Sequence, residues 1–264
     1  MYTKYWGLNA KPFENNPDPK FFFHSILHEE ILSRLLYGIW NNKGACLLVG
    51  DIGCGKTTIS RYLVNQMPKD RIKLALIENP SLAPKEFIKE ILFQFGVENK
   101  SPAKNSLLRS LNDLLFENMN QNFITVIIID EAQIMPIDTF EEIRLLLNFQ
   151  MNDRFLLNLV LMGQPELKAK IDSLPQLQQR IALKYRLTPL DREGCARYIQ
   201  FRLKVAGIER EIFDQEAIEF IYQKSAGIPR IMNRICDMCL LVAMGMKESI
   251  ITKNIVEKAE QTNI

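Results

Sequence analysis

The sequence predicts an α/β fold, a parallel sheet with helices on both faces, followed by an all-helical C-terminal part. Three observations carry this. Short apolar runs at 45–49, 72–77, 123–129 and 155–162 are separated by stretches of helical period, the pattern of strands buried on both faces. A glycine-rich loop of phosphate-binding type stands between the first run and a helix. From Asp191 onward only helical periodicity is found.

The elements follow in order. Residues 1–30 are aromatic and proline-punctuated, with Tyr5, Trp6, Pro12, Phe13, Pro17, Pro19, Phe21, Phe22 and Phe23. Such a segment has little regular structure but too many aromatics for disorder, so it is expected to pack along the α/β core. Residues 29–40 read as a helix, with apolar side chains at 31, 32, 35, 36, 39 and 40. Strand 45–49, the loop 50–55 and helix 56–64 come next. Strand 72–77 is closed by Asn79-Pro80-Ser81, and helices near 84–95 and 104–119 lead to strand 123–129. A helix over 138–149 is expected to be capped by Asp138, with Glu141 three residues on. After the strand 155–162 come a short helical stretch and a last strand, 183–187. Helices near 191–206, 214–225, 228–245 and 252–262 complete the chain. The expected domains are therefore an N-terminal segment 1–30, an α/β domain 31–189 and a helical domain 190–264.

Two motifs carry chemistry. The first is Gly50-Asp51-Ile52-Gly53-Cys54-Gly55-Lys56-Thr57, continued by Thr58. Its glycines let backbone N–H groups turn inward around phosphates, and the following helix N-terminus adds positive potential. Lys56 is expected on the β- and γ-phosphates of a nucleotide, and the Thr57 hydroxyl on Mg²⁺. The second motif is Asp130-Glu131-Ala132-Gln133, at the end of an apolar strand where parallel sheets bind ligands. Asp130 is expected to hold Mg²⁺ and Glu131 to act as general base toward water. The chain has no Asn-Lys-x-Asp guanine-reading motif, which favours ATP over GTP.

Adjacent acids at that strand end resemble the class of P-loop ATPases with an additional strand and a catalytic glutamate, which includes the AAA+ proteins. In an AAA+ core the polar residue after the next sheet strand, here Gln164 in Gly163-Gln164, serves as sensor 1, where Asn or Thr is commoner. Arg230, in Gly227-Ile228-Pro229-Arg230, stands where a helical lid carries its sensor 2 arginine. The likeness is sharper still at Tyr5-Trp6-Gly7-Leu8, Lys11-Pro12-Phe13, Pro17-Asp18-Pro19, Phe21-Phe22, His28-Glu29, Leu145-Leu146-Leu147-Asn148-Phe149, Gly163-Gln164-Pro165-Glu166-Leu167 and Gln179-Arg180-Ile181. These residues resemble the ExeA (GspA-type) secretion ATPases over nearly the whole chain.

The resemblance implies ATP and Mg²⁺ as ligands and a homo-oligomer with the active site at subunit interfaces. It implies that Arg180 reaches the γ-phosphate held by a neighbour and that Arg230 approaches it in cis; the aromatic N-terminal segment, read from its own residues, is expected to border the adenine. It implies an envelope-associated protein partner in secretion, pilus assembly or export. DNA-bound transposition helpers are more distant relatives, so DNA is the alternative partner, and an ATP-switched binding module with little turnover is the alternative role. Longer members continue into a membrane span and a periplasmic domain, whereas this chain is expected to stop at the lid.

Composition narrows the classes. The net charge is +2, with 22 basic and 20 acidic residues before position 190 and 11 of each from it on, so neither part is basic enough for nucleic-acid binding by composition. No apolar run approaches the ~20 residues of a membrane span. Five scattered cysteines and no signal peptide point to a reducing cytoplasm, with a peripheral place at the inner membrane compatible. Cys236 and Cys239 are expected as core residues of a helix, and Cys54 as a small side chain turned from the nucleotide. His24 and His28 have no cysteine nearby in the sequence, so a metal role is not expected of them.

Overall fold

Parallel pairing organises the larger part of this chain. The computed structural model describes residues 2–16, 18–151 and 154–261. The helices and strands are α1 (Tyr2–Trp6), α2 (Ile26–Trp40), β1 (Ala45–Gly50), α3 (Lys56–Gln66), β2 (Ile72–Ile77), α4 (Pro84–Gln94), α5 (Lys104–Asn120), β3 (Ile124–Ile129) and α6 (Ile137–Leu146). Then come β4 (Gln150–Met151), β5 (Arg154–Phe155), β6 (Asn158–Gly163), α7 (Pro165–Asp172), α8 (Pro175–Gln178), β7 (Ile181–Leu187), α9 (Arg192–Val205), α10 (Gln215–Ser225), α11 (Pro229–Met246) and α12 (Lys253–Gln261). The chain divides into two compact units, one of residues 27–51 and 59–187, the other of residues 1–26, 52–58 and 188–264.

The first unit is the α/β unit. Its sheet has the order β2-β3-β6-β1-β7, and every pairing is parallel. Strands β1 and β6 are buried at all six positions, which is why their sequences are apolar runs, Asn158 excepted, rather than alternations. The edge strand β7 instead alternates, with Lys184 and Arg186 exposed, and charge on an open edge deters pairing with another chain. Phe87, Ile88 and Ile91 of α4, Leu111 of α5 and Phe140 of α6 are buried with the sheet residues Leu47, Ile127 and Leu161 in one core. Two polar contacts lie inside: Asn118 Nδ2 donates to Thr125 Oγ1 at 3.1 Å, and Asn158 Nδ2 to Asn42 Oδ1 at 2.9 Å.

Two sequence expectations are corrected here. Helix α6 starts one residue earlier than expected and its N-cap is Pro136, so Asp138 lies inside the first turn and makes no cap. The reason is local: Pro136 has a fixed φ suited to helix entry, and Asp138 still favours the helix through its charge near the N-terminus. The predicted strand 155–162 is split. Phe155 belongs to the antiparallel ribbon β4–β5, and the sheet strand begins at Asn158.

The second unit is helical. Asp191 Oδ1 accepts from Gly194 N at 2.6 Å and caps α9; Asp214 Oδ1 accepts from Ala217 N at 2.7 Å and caps α10. The aromatic N-terminal segment, expected against the α/β core, takes its place in this unit's interior. Trp6 is 3% exposed and its Nε1 donates to Leu240 O at 3.0 Å, while Phe13 meets Phe213 edge-on at 6.2 Å. Buried Arg202 donates to the carbonyls of Pro12 and Glu14 and lies 4.6 Å from the Phe21 ring. Burial disfavours its charge, and those carbonyls compensate it. The segment also begins with a helix, α1, where little regular structure was expected. Pro17 and Thr262, both within expected features, lie outside the described residues.

Candidate functional site

The phosphate-loop sequence follows the buried strand β1 and runs directly into α3. Gly53 (φ +82°) and Gly55 (φ +104°) adopt backbone conformations that side chains resist. At Gly53 there is a second reason for glycine: a Cβ there would sit 2.7 Å from Arg230 Cβ. The Arg230 N–H donates to Gly53 O at 3.2 Å, so the loop apex touches the first turn of α11. Lys56 is only 5% exposed and occupies the first position of α3, whose first turn holds no acidic residue. A lysine ammonium and the N–H groups of a helix N-terminus are both anion donors, and that chemistry fits a phosphate. Thr57 and Thr58 are half-buried in the same turn, as is Asp51 before it; Ile52 is exposed and Cys54 buried.

The acidic pair follows β3 in the α/β unit. Asp130 is 2% exposed, its N–H donates to Ile77 O at 2.9 Å, and its Oδ1 accepts from Glu131 N at 2.9 Å. Glu131 has φ +51°, a left-handed conformation that costs a non-glycine residue about 1–3 kcal/mol. Gln133 Nε2 donates to Glu131 Oε2 at 2.6 Å, and Gln133 Oε1 accepts from Gln164 N at 3.1 Å. Lys170 Nζ donates to the carbonyls of Gln133 and Met135. The turn holding Glu131 is thereby tied to β6 and α7.

Because all five strands are parallel, Gly50, Asp130 and Gly163 end at one edge of the sheet. Gln164, half-buried, stands at that edge as the N-cap of α7; its side chain makes no cap bond. Arg180 is elsewhere. It follows α8, and Ile181 after it pairs with Ala45 at the start of β1. The six residues of β1 at ~3.3 Å each put Arg180 roughly 20 Å along the strand direction from the edge that bears Glu131. Arg230 is exposed in the first turn of α11. The structure thus groups Asp130, Glu131 and Gln164 in one unit, groups Lys56, Thr57 and Arg230 in the other, and sets Arg180 apart. Gln133 belongs to the quoted acidic motif, but sequence reasoning assigned it no task.

The donors of each unit suit the ligands expected of them: in one, the Thr57 hydroxyl is a hard oxygen ligand and Lys56 and the backbone N–H groups are anion donors; in the other, the Asp130 carboxylate is a hard oxygen ligand. Among the described residues no group of three or more His, Cys, Asp or Glu could hold a metal ion.

Fold and loop together define a P-loop protein of the AAA+ class. The model of the AAA domain matches residues 40–171, and the chain belongs to that family. It is similar to General secretion pathway protein A of Aeromonas hydrophila, at 39% identity over 92% of this chain and 45% of that protein. The chain therefore spans less than half the length of that relative. Among solved structures, the ORC2 protein of Aeropyrum pernix in its ADPNP-ADP complexes superposes with a TM-score of 0.65 at 17% identity, over 92% of this chain and 71% of that one. The Holliday junction branch migration motor RuvB of Thermotoga maritima gives 0.60 at 19%, over 89% and 68%. At such identities these two show the fold alone. Among the described residues no helix is long and apolar enough to cross a membrane.

Proposed function

We propose that the protein hydrolyses Mg-ATP at subunit interfaces and uses the cycle to assemble or remodel a cell-envelope secretion, pilus or export machine. The observation that carries this reading is the opposed placement of Glu131 and Arg180 at the two edges of one sheet. A finger arginine that far from its own base is suited to a neighbour's nucleotide, not its own. The backbone of residues 50–55 and Lys56 bind the phosphates, with Thr57 and Asp130 as the residues that would hold Mg²⁺. The cation, when bound, supplies charge neutralisation at the β- and γ-phosphates. Glu131 takes the proton of the attacking water, and Gln164 and Arg230 act beside the γ-phosphate. A neighbour's Arg180 stabilises the charge of the transferring group, a contribution on the order of 10³–10⁵ in rate. The envelope role rests on the similarity to General secretion pathway protein A.

The test is steady-state ATP hydrolysis against protein concentration, for wild type and Arg180→Ala, with nucleotide binding measured in both. Specific activity should rise with concentration, and the variant should bind ATP yet turn over at least 100-fold more slowly. Activity that is independent of concentration and indifferent to Arg180 would sink the shared-site reading.

A further inference from the structure

We propose that Gln133 is a positioning residue that aims the Glu131 carboxylate, an inference that rests on the proposed role of Glu131 as base. A carboxylate that must take a proton from one water has to be held in one direction, and Glu131 has rotatable bonds that its backbone does not fix. Gln133 supplies the restraint through a short hydrogen bond, 2.6 Å from Nε2 to Oε2.

The orientation of the Gln133 amide is itself determined. The backbone N–H of Gln164 can only donate, so the amide oxygen must face it, at 3.1 Å. The NH₂ is then left to face Glu131. The Gln133 carbonyl is held as well, by Lys170 Nζ, which also reaches Met135 O at 3.0 Å. Both ends of the residue are thus anchored on β6 and α7. Space for the amide comes from Gly163, where a Cβ would lie 2.6 Å from Gln133 Oε1. A shorter Asn could not span the two contacts, and Glu would offer oxygen to both sides.

The experiment compares Gln133→Met and Gln133→Glu with wild type and Glu131→Gln, measuring kcat, ATP affinity and thermal stability. Methionine fills the volume without either hydrogen bond. Glutamate keeps the volume and the acceptor for Gln164 but loses the donor. Both variants should lose about 10- to 100-fold in kcat with ATP affinity within about twofold, and neither should lower kcat further in the Glu131→Gln background. Rescue by glutamate would mean that the acceptor for Gln164 suffices without the donor to Glu131, and would overturn the proposal. So would wild-type kcat in both variants, a rise in kcat, or an equal further loss in the Glu131→Gln background. Wild-type turnover by Glu131→Gln would instead remove the base assignment itself, which separates the two failures. A readout free of turnover is the pair of side-chain amide proton resonances of Gln133. These should move on Glu131→Ala, and an unmoved pair overturns the contact.

Discussion

At the scale of single residues, burial decides chemistry. Burial pushes the thiols of Cys46 and Cys195 up to about 12 and those of Cys236 and Cys239 higher still. A raised thiol pKa leaves almost no thiolate at neutral pH, and the thiolate is the reactive form. These four cysteines should therefore resist a disulfide reagent at pH 7.5 in the native protein and react fully in guanidinium; rapid native labelling at any of them would contradict the packing. The same scale shows what a sequence can and cannot disclose. Lys56 and Glu131 could be given expected tasks because they stand in contiguous motifs whose chemistry fixes residue type and spacing. The contacts of Gln133 could not be foreseen, because Gln164 is 31 residues away and the space for the amide depends on Gly163. The expected Asp138 cap failed because Pro136 was the stronger local signal.

At the scale of elements, helical and strand periodicity placed nearly every helix and strand, including β2 at its observed bounds. What the pattern could not give was the destination of the N-terminal segment. Aromatic residues announce burial without naming the surface that buries them, and here that surface belongs to α9 and α11. Arg202 is the polar link in that packing, and it has a buried guanidinium with backbone partners that no other side chain would serve. Arg202→Met keeps the apolar stem but leaves two carbonyls short of a donor. It should lower stability by about 2–4 kcal/mol in urea unfolding, with Trp6→Ala costing about 3–5 kcal/mol. Losses under 0.5 kcal/mol in both would show that the segment is not part of the helical core.

At the scale of the molecule, near-neutral charge bears on the choice of partner. Proteins that grip duplex DNA do so by neutralising phosphates, and their affinity falls steeply with salt. With 33 basic against 31 acidic residues, the chain has no general excess for that purpose. Duplex mobility should stay unchanged by the ATP-bound protein at both 50 and 200 mM salt, concentrations at roughly the range where such binding is lost. A shift at the lower concentration that disappears at the higher would instead support the DNA-bound alternative. Fold class was legible at this scale because strand and helix signals alternate in order; the division into units was not, since one of them draws on both ends of the chain.

That division has a consequence for how the polypeptide is born. The indole of Trp6 waits for Leu240, made 234 residues later. At translation speeds of about 5–20 residues per second, this aromatic segment leaves the ribosome tens of seconds before its binding surface exists. The α/β unit has all its strands by residue 187, while the aromatics between Tyr5 and Phe23 remain uncovered. The nascent chain thus exposes a greasy segment while more than two hundred further residues are made, and a chaperone that shields it would act before the helical unit is complete.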